Sequence, residues 1–511
     1  MSHVDATVAP AAPANPRSRV ILASLIGTSI EFYDFYVYAT AAVLVFPILF
    51  FPSDNAVAAQ LASFAAFGVA FIARPIGSVL FGHFGDRIGR KGTLVASLLT
   101  MGIATFIIGV LPTALTPGWQ VLAPALLVLM RFCQGIGLGG EWSGAALLAT
   151  ENAPKGKRAI YGTFPQLGAP IGFIIANGVF LLLSLNLSQD DFLNWGWRVP
   201  FIASAVLVII GLYVRLKLVE TPAFTKVVER GEVAKLPLAR VLKTSWRPLI
   251  LGTFIMLATY VLFYLMTAFT LSYGTTASSL DAAKEAAIAK GAPLTDAAAA
   301  AFVPGLGYSR NDFLVMLIIG CVFFGIFTLV SGPLAERFGR RKTLLFTTVG
   351  IIVFGGLFVP LFGAGTVGVM ALLILGFALM GLTFGPMGSV LPELFPTNVR
   401  YTGSAISYNV ASILGAALAP TIALALLAAG GGSPVLVGLY LSAAAVITLV
   451  ALFISKEPRA IDSEVLVSPR PARALRGAGR TWLTAGRAAG SSFRMLREGG
   501  PREGLLRQAV G

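Results

Sequence analysis

The sequence predicts an all-α membrane protein of twelve transmembrane helices, arranged as two six-helix repeats. Three observations carry this. The 511 residues are 56% hydrophobic and only 12% charged, with a mean hydropathy of +0.82, whereas a soluble chain carries about a quarter charged residues. Apolar runs long enough to cross a bilayer, about 20 residues each, recur along the whole chain. A charged, glycine-bearing block after the second run returns in register in the second half. Such a composition excludes a water-soluble enzyme and a disordered chain. The only histidines are His3 and His83, and the only cysteines Cys133 and Cys321. These exclude a disulfide framework and a zinc centre, so no metal and no cofactor is expected.

Taken in order, the runs are approximately 20–51, 57–81, 92–111, 119–150, 159–187, 198–217, 248–273, 312–331, 343–362, 366–390, 402–429 and 434–455. Residues 1–19 precede the first run as a short cytoplasmic segment. The first run is too long for a secretory signal and ends in no small-residue cleavage site, so it reads as a retained helix. Residues 20–217 form the first six-helix bundle and 248–455 the second. Between them, 218–247 carry mixed charge and read as a cytoplasmic linker. Residues 274–310 are an Ala-rich outer loop with helical character. The basic tail, 456–511, has Arg473, Arg480, Arg487 and Arg494 at seven-residue spacing. Gly477, Gly479, Gly486 and Gly490 weaken any helix there, and an unstructured tail is expected.

Orientation follows from the 38 Lys and Arg residues. Arg74 and Arg131 lie inside runs, and only Arg198, Lys284, Lys290 and Arg310 lie on one side; the rest lie on the other. The positive-inside rule then puts both termini in the cytoplasm of a multi-pass protein of the inner (plasma) membrane. The net charge of +15 is thereby a matter of topology and of contact with lipid, and nucleic acid is not an expected partner.

The repeat is specific. Gly82, Gly85, Asp86, Arg87, Gly89, Arg90 and Lys91 follow the second run; Gly332, Glu336, Arg337, Gly339, Arg340, Arg341 and Lys342 follow the eighth. A second pair, Glu151, Pro154 and Arg158 against Glu393, Pro396 and Arg400, follows the fourth and tenth runs. Physically, Asp86 and Glu336 suit the positive N-terminus of a neighbouring helix, the basic residues suit carboxylates or anionic headgroups, and the glycines permit close approach. These blocks read as a latch that closes the cytoplasmic side and must open during transport.

The block after the second run resembles the signature loop of the major facilitator superfamily, and Arg131-Phe-Cys-Gln134-Gly135-Ile-Gly137 is similar to that superfamily's fourth-helix motif. Ile30 to Tyr36, Gly139 to Gly144, Trp195 to Phe201 and Pro392 to Gly403 resemble its metabolite:proton symporter family, from about residue 20 to 457. The resemblance implies a monomeric carrier that binds a small molecule and a proton, with the proton gradient as its energy source. "Import of an organic acid or zwitterion by alternating access" is its concrete form; a proton-coupled exporter on the same fold is the alternative, and a non-transporting sensor comes third.

Ionisable residues inside a membrane are costly and by default functional. Glu31 and Asp34 in the first helix, Arg74 in the second, and Arg131 and Glu141 in the fourth meet this description. A carboxylate there can carry a proton, because desolvation favours its neutral form. Asp34, Glu141 and Glu31 are the expected proton-coupling residues; Asp34 and Glu141, drawn to Arg74 or Arg131, are the favoured carriers, and Glu31 is also the candidate structural partner of Arg74. The substrate cavity is expected at Tyr33, Arg74, Arg131 and Gln134, joined by Asn409 and by Tyr260, Tyr264 and Thr267, which share one stripe of the seventh helix.

Overall fold

In the computed structural model, residues 16–53, 56–217, 237–289 and 302–455 are described. They are helical throughout the membrane region. The first half consists of α1 (Arg17–Leu44), α2 (Ala56–Arg87), α3 (Arg90–Val110), α4 (Leu122–Glu151), α5 (Arg158–Gln166 and Gly168–Asn186) and α6 (Arg198–Leu216). The second consists of α7 (Trp246–Tyr264, continued through a π-helical turn Leu265–Phe269 to Thr270–Thr275), α8 (Arg310–Phe338), α9 (Arg340–Gly356 and Phe358–Gly363), α10 (Gly365–Glu393), α11 (Arg400–Ser412, a π-helical turn Ile413–Ala417 and Ala419–Ala429) and α12 (Val435–Ile454). Eleven helices among the described residues are long and apolar enough to cross a membrane. The remaining expected span, 343–362, is α9, whose first piece is 17 residues and which is interrupted at Leu357.

The duplication read from the sequence is a duplication of packing. In the first half α2 packs on α4, α1 on α5 and α3 on α6. In the second, α8 packs on α10, α7 on α11 and α9 on α12. Glycines set the closest of these approaches. A Cβ on Gly139 would lie 2.2 Å from the carbonyl oxygen of Arg74, and one on Gly135 2.6 Å from that of Ala70. Their counterpart in α10 is Gly381, 2.6 Å from the carbonyl of Phe324. Without a hydrophobic drive between helices in lipid, such backbone proximity is a main source of association. Large apolar side chains such as Ile72, Val206 and Phe346 face outward, as a lipid-embedded surface requires.

The turns between α2 and α3 and between α8 and α9 are made by Gly89 (φ +128°) and Gly339 (φ +96°), a conformation costly for any residue with a Cβ. This is why the repeated block keeps its glycine at that place. Part of the expected linker is a helix, Pro237–Thr244, with Val241 fully buried. In the outer loop, Leu280–Ala289 is helical. Ser309 caps α8, its hydroxyl accepting from the Asp312 N–H at 3.2 Å, which gives Asp312 a terminal role. The tail repeat from Lys456 lies outside the described residues.

Candidate functional site

The two halves meet most closely at the end carrying the repeated blocks. Asp86 ends α2 and accepts three hydrogen bonds from the start of α11: the N–H groups of Tyr401 (3.3 Å) and Thr402 (2.9 Å) and the Thr402 hydroxyl (2.8 Å). These are among the N–H groups that a helix cannot satisfy internally. Glu336 does the same at the start of α5, accepting the Ala159 N–H at 2.5 Å. Each half thus places a carboxylate on a helix N-terminus of the other, as the block chemistry predicts. Gly82 and Gly85 make the approach possible, since a Cβ at either would lie 2.9 Å from Thr402 or 2.5 Å from the Tyr401 ring. Nearby, Gly388 of α10 crosses Gly162 of α5 so closely that a Cβ would sit 2.2 Å from the Gly162 oxygen.

The basic residues of the blocks divide their work. Arg340 forms an ion pair with Glu393 and lies 3.8 Å from Glu336. Arg341 caps α12, donating to the carbonyls of Leu452 and Phe453 at 2.7 Å each. Arg87 is exposed and bonded to His83 at 3.0 Å; Arg337 is over the Phe338 ring. Lys91 is half-buried in the first turn of α3. Arg90 opens α3, and its side chain lies outside the described ones.

Deeper in, the expected acids are all buried, but their partners differ from those the sequence predicts. Glu141 is in an ion pair with Arg215 of α6, not with Arg74 or Arg131, and also accepts from Ser97 at 2.7 Å. Arg215 is 1% exposed and donates to the Leu94 carbonyl at 2.6 Å. Its guanidinium fits only because position 27 is glycine, where a Cβ would lie 1.8 Å from Nη2. Sequence reasoning missed Arg215 because it counts as a terminal, topology-setting charge; Gly27 one helix away was the available signal.

Asp34 accepts from Ser204 at 2.5 Å and from Thr105 at 3.0 Å. Thr105 in turn accepts from Gln134 (2.7 Å), whose carbonyl accepts from Arg131 at 3.1 Å. Arg131 is therefore linked to Asp34 through two side chains rather than paired with it. Its guanidinium sits among Tyr38, Phe67 and Phe35, 4.0, 4.8 and 5.0 Å from the ring centroids. Glu31 is fully buried, and neither of its oxygens has a hydrogen-bond partner among the described residues. Its expected bond to Arg74 is not made: Arg74 lies over the rings of Phe35 and Phe71, with Nε unpartnered.

Between the halves is a small cavity of about 30 Å³ with Arg74, Tyr260 and Tyr264 in its wall, as expected, and Tyr36, Phe35 and Tyr408 beside them. The other expected cavity residues lie elsewhere. Tyr33 donates to the Pro200 carbonyl at 2.8 Å. Arg131 and Gln134 are held in the network behind Phe35. Asn409 crosses to α4, donating to the Gly139 carbonyl at 3.0 Å. Thr267 falls in the π-helical turn, whose extra residue per turn rotates it off the stripe, and it donates to Phe263 of its own helix. The aromatic wall has a further bridge: Trp142 stacks on Tyr408 at 4.0 Å and donates to Gln166, which donates to the Phe384 carbonyl. At the opposite end from the latch, a larger pocket of about 340 Å³ opens between α1, α5 and α8, lined by Thr40, Asn177, Ser184, Gln189 and Asn311 among others.

Hydrogen bonds between the halves gather at the repeated blocks, the larger pocket lies at the other end, and the buried charges lie between them. Comparison with known proteins agrees with this arrangement. The family described as "Sugar (and other) transporter" matches residues 20–249 and 300–460. The inner membrane metabolite transport protein YhjE of Escherichia coli is 57% identical over 88% of this chain and 96% of its own. The shikimate transporter of Escherichia coli is 34% identical over 86% and 94%. Among solved structures, the proton:xylose symporter XylE has a TM-score of 0.62 at 19% identity, over 86% of this chain and 94% of that one.

Proposed function

The chain belongs to the sugar (and other) transporter family of the major facilitator superfamily, a family of membrane transporters, and we propose that it imports a small polar metabolite together with a proton. The observation that carries this is the cluster of three buried carboxylates, Glu31, Asp34 and Glu141, facing Arg74, Arg131 and Arg215 in one half of a membrane protein. Ionised groups at such depth are expensive, and a carrier that must take up and release protons supplies a reason for their presence. The structural neighbour XylE is a proton:xylose symporter, which supports the same reading.

Alternating access follows from the latch. Closure at the repeated blocks rests in part on carboxylates that each hold the other half's helix N-terminus, and these contacts must break for the halves to separate at that end. We place that end in the cytoplasm, with both termini, on the charge asymmetry of the loops. Substrate then enters from the pocket beside Asn177 and Asn311, reaches the cavity at Arg74 and leaves when the latch opens. In shape the substrate is a small organic acid or zwitterion. Uptake into proteoliposomes of the full chain under an imposed pH gradient tests the whole reading: accumulation against a concentration gradient that collapses with a protonophore supports it, and equilibration without accumulation refutes the coupling.

A further inference from the structure

Apart from Asp86 at the latch, three arginines and three acids are buried in the first half, and they do not share one fate. Glu141 and Arg215 are joined directly, and Asp34 and Arg131 through Thr105 and Gln134. The third set, Glu31 and Arg74, is joined by no hydrogen bond, and its arginine is the one that lines the cavity. Resting on the transporter reading above, we propose that Glu31 carries the transported proton and that Arg74 is the charge it shares with a substrate carboxylate.

A carboxylate with no donor to either oxygen is costly when ionised in a dry interior and much less so when neutral. The charged and titratable groups facing Glu31 are Arg74 from α2, Glu141 from α4, Arg215 from α6 and Tyr408 from α11. Arg215 is already held by Glu141, so Arg74 is the cation at Glu31's disposal. On the cavity side, Arg74 Nε is a buried donor without a partner, as a carboxylate acceptor requires. A cavity of about 30 Å³ has room for roughly one water, so this is a contracted conformation that widens to admit substrate.

The exchange balances. In the empty carrier, ionised Glu31 neutralises Arg74. When an anion arrives, a proton from the entry side forms an O–H bond on Glu31, and the anion takes over Arg74. On the exit side the anion leaves, the O–H bond breaks to water, and Glu31 again faces Arg74. The pair site is neutral in both reorienting forms. An anion without a proton, or a proton without an anion, leaves it with a net charge that resists passage through the apolar interior. One anion therefore moves with one proton.

The test uses the purified full-length carrier. In infrared difference spectra, addition of a small monocarboxylate should raise a protonated-carboxyl band that shifts in deuterium oxide in the wild type and not in Glu31→Gln, while Asp34→Asn keeps it. Trp142 fluorescence should respond to small monocarboxylates, shikimate among them, and not to their uncharged methyl esters; Arg74→Gln should lose the response. Above the pH where Glu31 ionises, the wild-type Kd should rise about tenfold per pH unit, one proton per anion. In Glu31→Gln it should stay within about twofold across the same range. Persistence of the band in Glu31→Gln, an unaltered pH slope in that variant, or equal responses to acid and ester overturns the proposal. Failure of every variant and the wild type to accumulate solute would instead sink the symport reading, and the band would still decide the protonation of Glu31.

Discussion

Asp86 and Thr402 are 316 residues apart in sequence, yet the Asp86 carboxylate accepts both the N–H and the hydroxyl of Thr402, at 2.9 and 2.8 Å. The contact joins α2 of one half to α11 of the other. It is matched across the pseudo-two-fold by Glu336 on Ala159. A carboxylate at a helix N-terminus is favoured by the partial positive charge there as well as by the hydrogen bonds, so the pair is an electrostatic fastener that water can replace once the halves separate.

Asp86→Asn should loosen this fastener without unfolding either half. Hydrogen bonds to a charged group contribute about 1.5–3 kcal/mol, so the closed state loses roughly tenfold or more of its population. Turnover should fall while substrate affinity changes less, because the cavity residues are untouched. Transport rates and equilibrium binding, measured on the same preparation, separate the two; loss of binding with unaltered turnover would place the loop in the substrate site.

Gly388→Val attacks the same closure by volume. Even its first carbon would meet the Gly162 oxygen at 2.2 Å, and that neighbour is backbone and cannot yield. The variant should insert and bind detergent normally but be trapped open at the latch end. A cysteine placed at Thr402 should then react with a thiol reagent at least several-fold faster than in the unsubstituted background. Equal rates would mean that the crossing is not a point of closure.

Much of this architecture was legible in the sequence because it depends on residue type at fixed spacing. Asp86 and Glu336 are found where the repeated blocks put them, and Gly89 and Gly339 have the positive φ that the turn demands. The partners of the buried acids were less legible, since direction is set by tertiary packing. Arg215 sits near a helix end but turns inward into the space left by Gly27. Tyr33 belongs to the right helix but aims at Pro200. Thr267 has the right spacing for an α-helix and is displaced by a π-helical turn that the spacing does not announce. The cavity was legible only where Tyr260, Tyr264 and Arg74 stand.

The Glu141–Arg215 pair yields a stability prediction. Removing one partner from a buried ion pair costs about 3–5 kcal/mol, because the other charge is left uncompensated. Glu141→Gln and Arg215→Gln should each lower the yield and melting temperature of the folded protein. The double variant, with neither charge, should recover much of the loss. Additive losses in the double variant would show that the two residues act separately.

Orientation is tested with single cysteines. Those placed in Leu280–Ala289 should be labelled by an impermeant reagent applied to intact cells, and those in Pro237–Thr244 only after the membrane is opened. The reverse pattern would invert the assignment of the latch to the cytoplasmic side, and with it the direction of transport inferred from the two ends.

Asp34→Asn and Glu31→Gln decide between the two residues of α1 as proton carrier. Asp34 receives its hydrogen bonds from Ser204 and Thr105, and an asparagine can keep one as acceptor and offer its own N–H to the other hydroxyl. Thr105 has two lone pairs; it can accept from both Gln134 and the new amide while turning its proton to the Met101 carbonyl, 3.0 Å away. Arg131 loses a linked negative charge but keeps its bed of aromatic rings, so Asp34→Asn should fold. Its turnover should fall, and its accumulation of solute under a pH gradient should persist. Glu31→Gln should do the opposite: exchange of labelled for unlabelled solute continues, since loaded reorientation needs no net proton release, while gradient-driven accumulation disappears. Loss of accumulation in Asp34→Asn with exchange intact, alongside a fully coupled Glu31→Gln, would move the proton to Asp34 and reduce Glu31 to a structural neighbour of Arg74.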